Sequence, residues 1–333
     1  MKNKGLKIAG LIILVLLVGF FIGPREKAPK LSAEIVDTLP AELKTLEKFI
    51  SDRENSIKTL KSDNESRIIW ANPDSIHKTK YCFVYLHGFT ASPIEGNGLS
   101  SVLSEKYNAN IYLPRLQAHG TESDENMLDF NIEKYWKSAQ ESYLIGKKLG
   151  EKVILLGTST GGSLALMIAA EYSDIEAIML YSPNIDLYDN KSFILAMPWG
   201  LQITRLFYGG KYRSWDANEE QDKYWQHYYR LEALVKLKVM LKSYMTKELF
   251  TRVTQPVFLG YYYENDENQD HVVSVPAMLE MFDELGTPAD KKVKVAFPKA
   301  GEHVLTWLYS AKSIDEVRNE TFNFLDKIVM PTN

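Results

Sequence analysis

Hydrophobic positions follow three successive rhythms along the chain. From Ile8 to Gly23 they run without interruption, "IAGLIILVLLVGFFIG", behind a basic start, "MKNKGLK". With Leu6 and a snorkelling Lys7 the span approaches the about 20 residues that cross a bilayer. Lys2, Lys4 and Lys7 then predict a single-pass anchor with its N-terminus in the cytoplasm and the body outside. A cleaved signal peptide is the alternative and would make the body secreted. The run ends in Phe20, Phe21, Ile22, Gly23 and Pro24, not in the small residues of a cleavage site. Residues 1–24 are therefore expected to form an N-terminal transmembrane helix.

The second rhythm covers residues 25–65. "PREKAPKLSAEIVDTLP" reads as a short polar linker. In "PAELKTLEKFISDRENSIKTL", Leu43, Leu46, Phe49, Ile50 and Ile57 fall at near-helical spacing with charges between them, which predicts an amphipathic helix docked on the body.

From Ser66 a third pattern begins. Short β-rich runs recur, "RIIWAN", "YCFVYLHG", "NIYLPRL", "KVILLGTS", "AIMLYSP", "PVFLGYYYE" and "KVKVAFPKAG", with helical segments between most of them. The middle runs are continuously apolar, as strands of a parallel sheet covered on both faces are. Residues 66–333 thus predict an α/β domain with a mostly parallel, doubly wound sheet. The helical stretch "NIEKYWKSAQESYLIGKKLG" fits a crossover, with Gly150 as a C-cap candidate. The alternation fails once, over about 184–252, a stretch dense in Trp and Tyr. So long a structureless loop is improbable inside a compact domain, and a helical cap over one edge of the sheet is expected.

Charge and cysteine usage narrow the function classes. A formal net charge of -4 gives no electrostatic pull toward nucleic acid. The single cysteine, Cys82, lies inside an apolar run, so neither an intramolecular disulfide nor a cysteine metal cluster is available. No HExxH, EF-hand or phosphate-loop pattern occurs, and neither a metal nor another cofactor is expected.

The chemistry concentrates at "GTSTG". It follows the strand "KVILL" and opens the helix "GSLALMIAAEY", the strand–turn–helix setting of a nucleophile elbow around Ser159. A serine hydroxyl needs a base to take its proton and a third group to orient that base. His303, in "FPKAGEHVLTW", follows the last predicted strand, where open parallel sheets gather their ligand sites. The loop after "PVFLGYYYE" offers Asp266 and Asp270. Ser274 and Pro276 look like the start of the next helix and place Asp270 nearer the tight turn, so it is preferred and Asp266 is kept. The turn in "YLHGFTASP" would supply an oxyanion donor from the backbone N–H of Phe89, paired with that of Thr160. His87 is then read as part of that turn, and His119 as a loop-fixing residue.

Together "YLHGFTASP", "LPRLQAHG", "LGTSTGG", "QDHVVSVPAM" and "AGEHVLTW" resemble the α/β-hydrolase superfamily, nearest to carboxylesterases and monoacylglycerol lipases with a helical cap. The resemblance implies Ser159 as nucleophile, Asp270 as acid, His303 as base, and Phe89 and Thr160 as oxyanion donors. It implies a small-molecule or lipid ester as substrate; the membrane as a partner, through the N-terminal helix, is expected from the first apolar run. Two departures stand out. The acidic loop between Gly260 and Asp270 is longer than usual, and threonines flank Ser159 where His or Met is usual. A peptidase or acyltransferase on the same triad is the alternative within enzymes, and a tethered, non-catalytic binding protein the alternative outside them.

Overall fold

The structure, a computed structural model, describes residues 2–309 and 312–331. The N-terminal part holds helices α1 (Lys2–Phe21) and α2 (Leu43–Asn55). The first half of the body follows as β1 (Arg67–Ile69), β2 (Thr79–Leu86), α3 (Asn97–Tyr107), β3 (Asn110–Leu113) and α4 (Ile132–Leu149). It continues through β4 (Gly150–Thr158), α5 (Thr160–Glu171) and β5 (Ile175–Tyr181). An insertion then contains α6 (Gly200–Phe207), β6 (Tyr212–Ser214), α7 (Glu219–Tyr224), β7 (Tyr228–Arg230), α8 (Leu231–Tyr244) and α9 (Lys247–Arg252). After it, β8 (Val257–Tyr261), α10 (Val275–Glu284), β9 (Lys292–Ala296) and α11 (Ile314–Phe324) complete the body.

Seven strands form one sheet in the order β1-β3-β2-β4-β5-β8-β9, with only β1 antiparallel to its neighbour. Side chains alternate across a strand, and β2 shows why its run is continuously apolar. Cys82, Val84 and Leu86 enter the core shared with Leu149 of α4, Leu164 of α5 and Leu234 of α8. Tyr81, Phe83 and Tyr85 enter the opposite core with Leu99 of α3 and Phe324 of α11. Both faces are dry, so no polar alternation survives in the sequence.

The insertion departs from the all-helical expectation. Its strands β6 and β7 make an antiparallel ribbon, capped by the stacked rings of Tyr212 and Tyr228, 4.5 Å apart. Three-residue strands are too short for a two-residue period to register in the sequence. Helix α8 also belongs to the body, because Leu231, Leu234, Leu237 and Leu241 are buried in the main core.

The N-terminal expectation is corrected. The apolar run does form a helix, but no helix among the described residues is long and apolar enough to cross a membrane. Within α1 the unbroken apolar run is Ile8–Phe21. At about 1.5 Å per residue it rises roughly 21 Å, against a hydrocarbon thickness of about 30 Å. The following linker is not loose. The Ser32 carbonyl accepts from Trp136 Nε1 at 2.8 Å and Gln140 Nε2 at 3.0 Å, and the Ala33 carbonyl accepts from the Tyr172 hydroxyl at 2.6 Å. In α2, Leu46 and Ile50 are buried as expected, whereas Ile57 lies beyond the helix end.

Candidate active site

The loops after β2, β4, β8 and β9 meet at one edge of the sheet, around a cavity of about 1000 Å3 roofed by the insertion. Ser159 sits between β4 and α5 with φ of 53° and ψ of -122°, a region that L residues rarely occupy. Its neighbours over-determine that geometry. Its N–H donates to the Tyr181 carbonyl at 3.0 Å, and its carbonyl accepts from Gly162 and Asn184 N–H groups, each at 2.9 Å. The turn closes only without side chains beside it. A Cβ at Gly161 would stand 1.9 Å from the Leu86 carbonyl oxygen, and one at Gly157 2.5 Å from that of Gly161.

The Ser159 hydroxyl has no hydrogen-bond partner among the described residues and opens into the cavity. His303 and Asp270 line the same cavity. His303 Nδ1 lies 2.6 Å from Asp270 Oδ2, while Asp270 Oδ1 accepts the N–H groups of Val272 at 2.8 Å and Val273 at 3.1 Å. Burial opposes charge on both partners. On Asp270 the charge and hydrogen bond of His303, with those two N–H groups, outweigh it and hold the carboxyl below its ordinary value. On His303 the charge and hydrogen bond of Asp270 outweigh burial and raise the imidazole. Asp266 is directed elsewhere, accepting from the Tyr263 hydroxyl at 2.9 Å on the exposed part of its loop. The long acidic loop is folded back on itself, with Tyr263 bridged to Gln269, and Asp270 is returned to the sheet edge.

Gly88 brings the β2 turn alongside the serine, close enough that a Cβ there would lie 3.1 Å from Ser159 Cβ. The N–H of Phe89 has no acceptor among the described residues, and that of Thr160 is the first of the unpaired donors at the N-terminus of α5. The Phe89 ring is fixed edge-on against Phe130 at 5.3 Å and Tyr229 at 5.7 Å. His87 is fully buried, and its Nε2 accepts the Leu116 N–H at 3.0 Å. His119 is likewise buried, with Nδ1 2.7 Å from the Gln117 carbonyl oxygen. The threonines around Ser159 do not line the cavity. Thr158 Oγ1 lies 2.7 Å from the Tyr85 hydroxyl and 3.0 Å from Thr306 Oγ1, and Thr160 Oγ1 accepts from Asn184 Nδ2 at 3.2 Å.

One residue of the site escaped the sequence reading. Glu95, 1% exposed, lines the cavity and accepts the Gly88 N–H at 2.8 Å. The same carboxylate oxygen lies 3.0 Å from the Tyr85 hydroxyl, and the Glu95 carbonyl accepts from Thr306 Oγ1 at 3.2 Å. Burial pushes its carboxyl up to about 7, against the downward pull of the Gly88 and Tyr85 hydrogen bonds. Glu95 thus ties the Phe89 turn to the strand end before Ser159 and to the loop of His303.

A strained serine at a strand-to-helix turn, beside unpaired N–H groups and a carboxylate-bound histidine, is the arrangement of an α/β hydrolase. The alpha/beta hydrolase family model matches residues 83–316, and the chain belongs to that family. A thermostable monoacylglycerol lipase from Bacillus sp. (strain H-257) is 30% identical over 102 residues, 31% of this chain and 40% of the relative's length. The chain therefore spans less than half of that curated relative. Among solved structures, one from work on the metagenome-derived lipolytic enzymes LipS and LipT superposes with a TM-score of 0.65 at 16% identity, covering 80% of this chain and 99% of the other. A Paleococcus ferrophilus monoacylglycerol lipase gives a TM-score of 0.59 at 15% identity over 79% and 98% of the two chains. Fold and family agree with the resemblance drawn from the motifs.

Proposed function

We propose that the chain is a serine hydrolase of carboxylic esters, of carboxylesterase or monoacylglycerol-lipase type, acting through Ser159, His303 and Asp270. The observation that carries this reading is the 2.6 Å contact of His303 Nδ1 with Asp270, in the same cavity as the strained Ser159. Asp270 fixes the tautomer, leaving His303 Nε2 free to face the serine. His303 takes the hydroxyl proton as Ser159 Oγ bonds to the acyl carbon, and Phe89 and Thr160 N–H groups receive the carbonyl oxygen as it becomes an oxyanion. Collapse breaks the ester C–O bond, with the proton passing from His303 to the departing alcohol. Water then gives its proton to His303 and its oxygen to the acyl carbon, which frees the acid and restores Ser159. Ser159 and His303 share no hydrogen bond among the described residues, and catalytic hydrogen bonds of this kind tighten in the complex with substrate.

Labelling by a fluorophosphonate and turnover of p-nitrophenyl esters of graded chain length test the reading. Label on Ser159, with turnover lost in Ser159→Ala and His303→Ala, is the expected result. A folded wild-type protein that neither labels nor turns over any ester would overturn it.

A further inference from the structure

The ribbon β6–β7 presents two arginines to very different surroundings. Directly opposed residues of an antiparallel pair share a face, and the pairing sets Tyr212 against Arg230 and Arg213 against Tyr229. On the first face Arg230 is fully matched. It lies over the Tyr212 ring at 5.3 Å, donates to Glu232 at 3.1 Å and pairs with Glu125. On the second face Arg213 is half-buried in the cavity wall, and its guanidinium has no hydrogen bond or ion pair among the described residues. Its neighbour Tyr229 is 4% exposed, and its hydroxyl also lacks a partner among them.

A partly desolvated guanidinium is costly without an acceptor. Of the carboxylates that line the cavity, Asp270 is held by His303, Glu95 by Gly88 and Asp189 by the Lys191 N–H at 2.8 Å, and neither these nor Glu302 pairs with Arg213 among the described residues. Apolar Ile203, Phe207 and Trp215 line the same cavity, with polar Thr204, Tyr208 and Gln221 among them. Tyr229 stands edge-on to Phe89, which ties this face of the ribbon to the turn beside Ser159.

We infer that Arg213 and the Tyr229 hydroxyl form a subsite for an anionic group, a carboxylate or a phosphate, carried by the ester that enters this cavity. Resting on the ester hydrolase reading, this narrows the substrate class to amphipathic esters with an apolar chain and a negative charge remote from the scissile bond. Guanidinium binds such groups with paired, charge-assisted hydrogen bonds, and a phenol adds a third donor.

Two measurements test the subsite. Binding is read without turnover, by quenching of the cavity tryptophans Trp215 and Trp225 on titration with octyl phosphate, octanoate or octanol. Wild type is expected to bind at least one of the two anions about tenfold or more tighter than octanol, the scale of a charge-assisted hydrogen bond. Arg213→Ala should erase that preference, Arg213→Lys keep part of it, and Arg213→Glu reverse it. Turnover is read as the ratio of kcat/KM for p-nitrophenyl hydrogen suberate to its methyl ester, and for decanoylglycerol phosphate to decanoylglycerol. A ratio that favours the anion in the first pair assigns a carboxylate on the acyl side, and in the second a phosphate on the alcohol side. A wild type that binds anion and alcohol equally, or a preference unchanged in Arg213→Ala and Arg213→Glu, overturns the subsite even where neutral esters are hydrolysed. Failure to hydrolyse any ester, with the anion preference intact, overturns the hydrolase reading alone.

Discussion

Replacing Glu95 by glutamine removes a carboxyl whose titration is built into the fold. Burial raises Glu95 from its ordinary 4.5 to about 7, so the folded state holds its proton after the unfolded chain has released it. The stabilisation is fully present below pH 4.5 and is lost as the pH rises toward 7. The interval of about 2.5 pH units, at about 1.36 kcal/mol each, is worth about 3 kcal/mol. A glutamine side chain at this position would have the shape of the protonated carboxyl and no such dependence. At about 2.1 cal/mol/K of unfolding entropy per residue, a chain of this length shifts its Tm by roughly 1.4 °C per kcal/mol. Between about pH 4.5 and 8.5 the Tm of Glu95→Gln should therefore rise relative to wild type by about 4 °C. Parallel thermal melts of the two proteins across that range measure the difference directly. A difference that stays flat with pH would show that the carboxyl ionises as it does in water and would refute the buried-clamp account. The same substitution has a second signature. The charge of Glu95 helps to raise His303, so the pH–rate profile of Glu95→Gln should move to lower pH.

Four further outcomes follow from the geometry. Because Asp270 raises His303, kcat/KM should climb with pH along a limb centred above the ordinary 6.5 of histidine, since the neutral imidazole is the base. Asp270→Asn should lower that limb and cut kcat by about a thousandfold or more, as the orienting acceptor is lost, with the melting curve checking the fold. Asp266→Ala should leave kcat near wild type, because its partner is Tyr263; a loss matching that of Asp270→Asn would reverse their roles. Gly161→Ala should destabilise by about 3 kcal/mol or more and prevent labelling of Ser159, as its Cβ would collide with the Leu86 carbonyl oxygen at 1.9 Å; urea unfolding reads the first and gel fluorescence the second.

What was legible in the sequence is what a one-dimensional rhythm can carry. Strands β2, β4 and β5 announced themselves because both their faces are buried; Ser159 follows β4 directly, and His303 follows the short β-rich run of the edge strand β9, each beside glycine. The ribbon β6–β7 stayed hidden, being too short to establish a period. The docking of Ser32 and Ala33 stayed hidden for another reason. Its acceptors are backbone carbonyls, which every sequence possesses, so polar composition read as a free linker. The first apolar run misled through length. A window of hydrophobic letters includes residues that the helix does not, and the rise of Ile8–Phe21 falls short of the bilayer.

Glu95 and the threonines flanking Ser159 show a deeper limit, because their meaning depends on what is buried beside them. Read locally, the acid in "SPIEG" is an ordinary residue for the start of a helix, where negative charge suits the dipole. Folded, it is a buried acceptor that holds the Gly88 N–H, and through Tyr85 it meets Thr158 and Thr306. Thr158 and Thr160 stand where the resemblance leads one to expect His or Met, yet neither puts its hydroxyl into the cavity. Their hydroxyls are engaged by the scaffold behind the serine instead, one against Tyr85 and Thr306, the other against Asn184. The three loops that carry Ser159, the Phe89 turn and His303 are thus joined through one polar cluster in a dry interior, where each unmet hydrogen bond costs about 1–3 kcal/mol. That cost makes the relative placement of the three loops a property of the cluster as a whole. Substitution of the usual His or Met at either flank should consequently disturb the alignment of the serine before it alters the shape of the pocket.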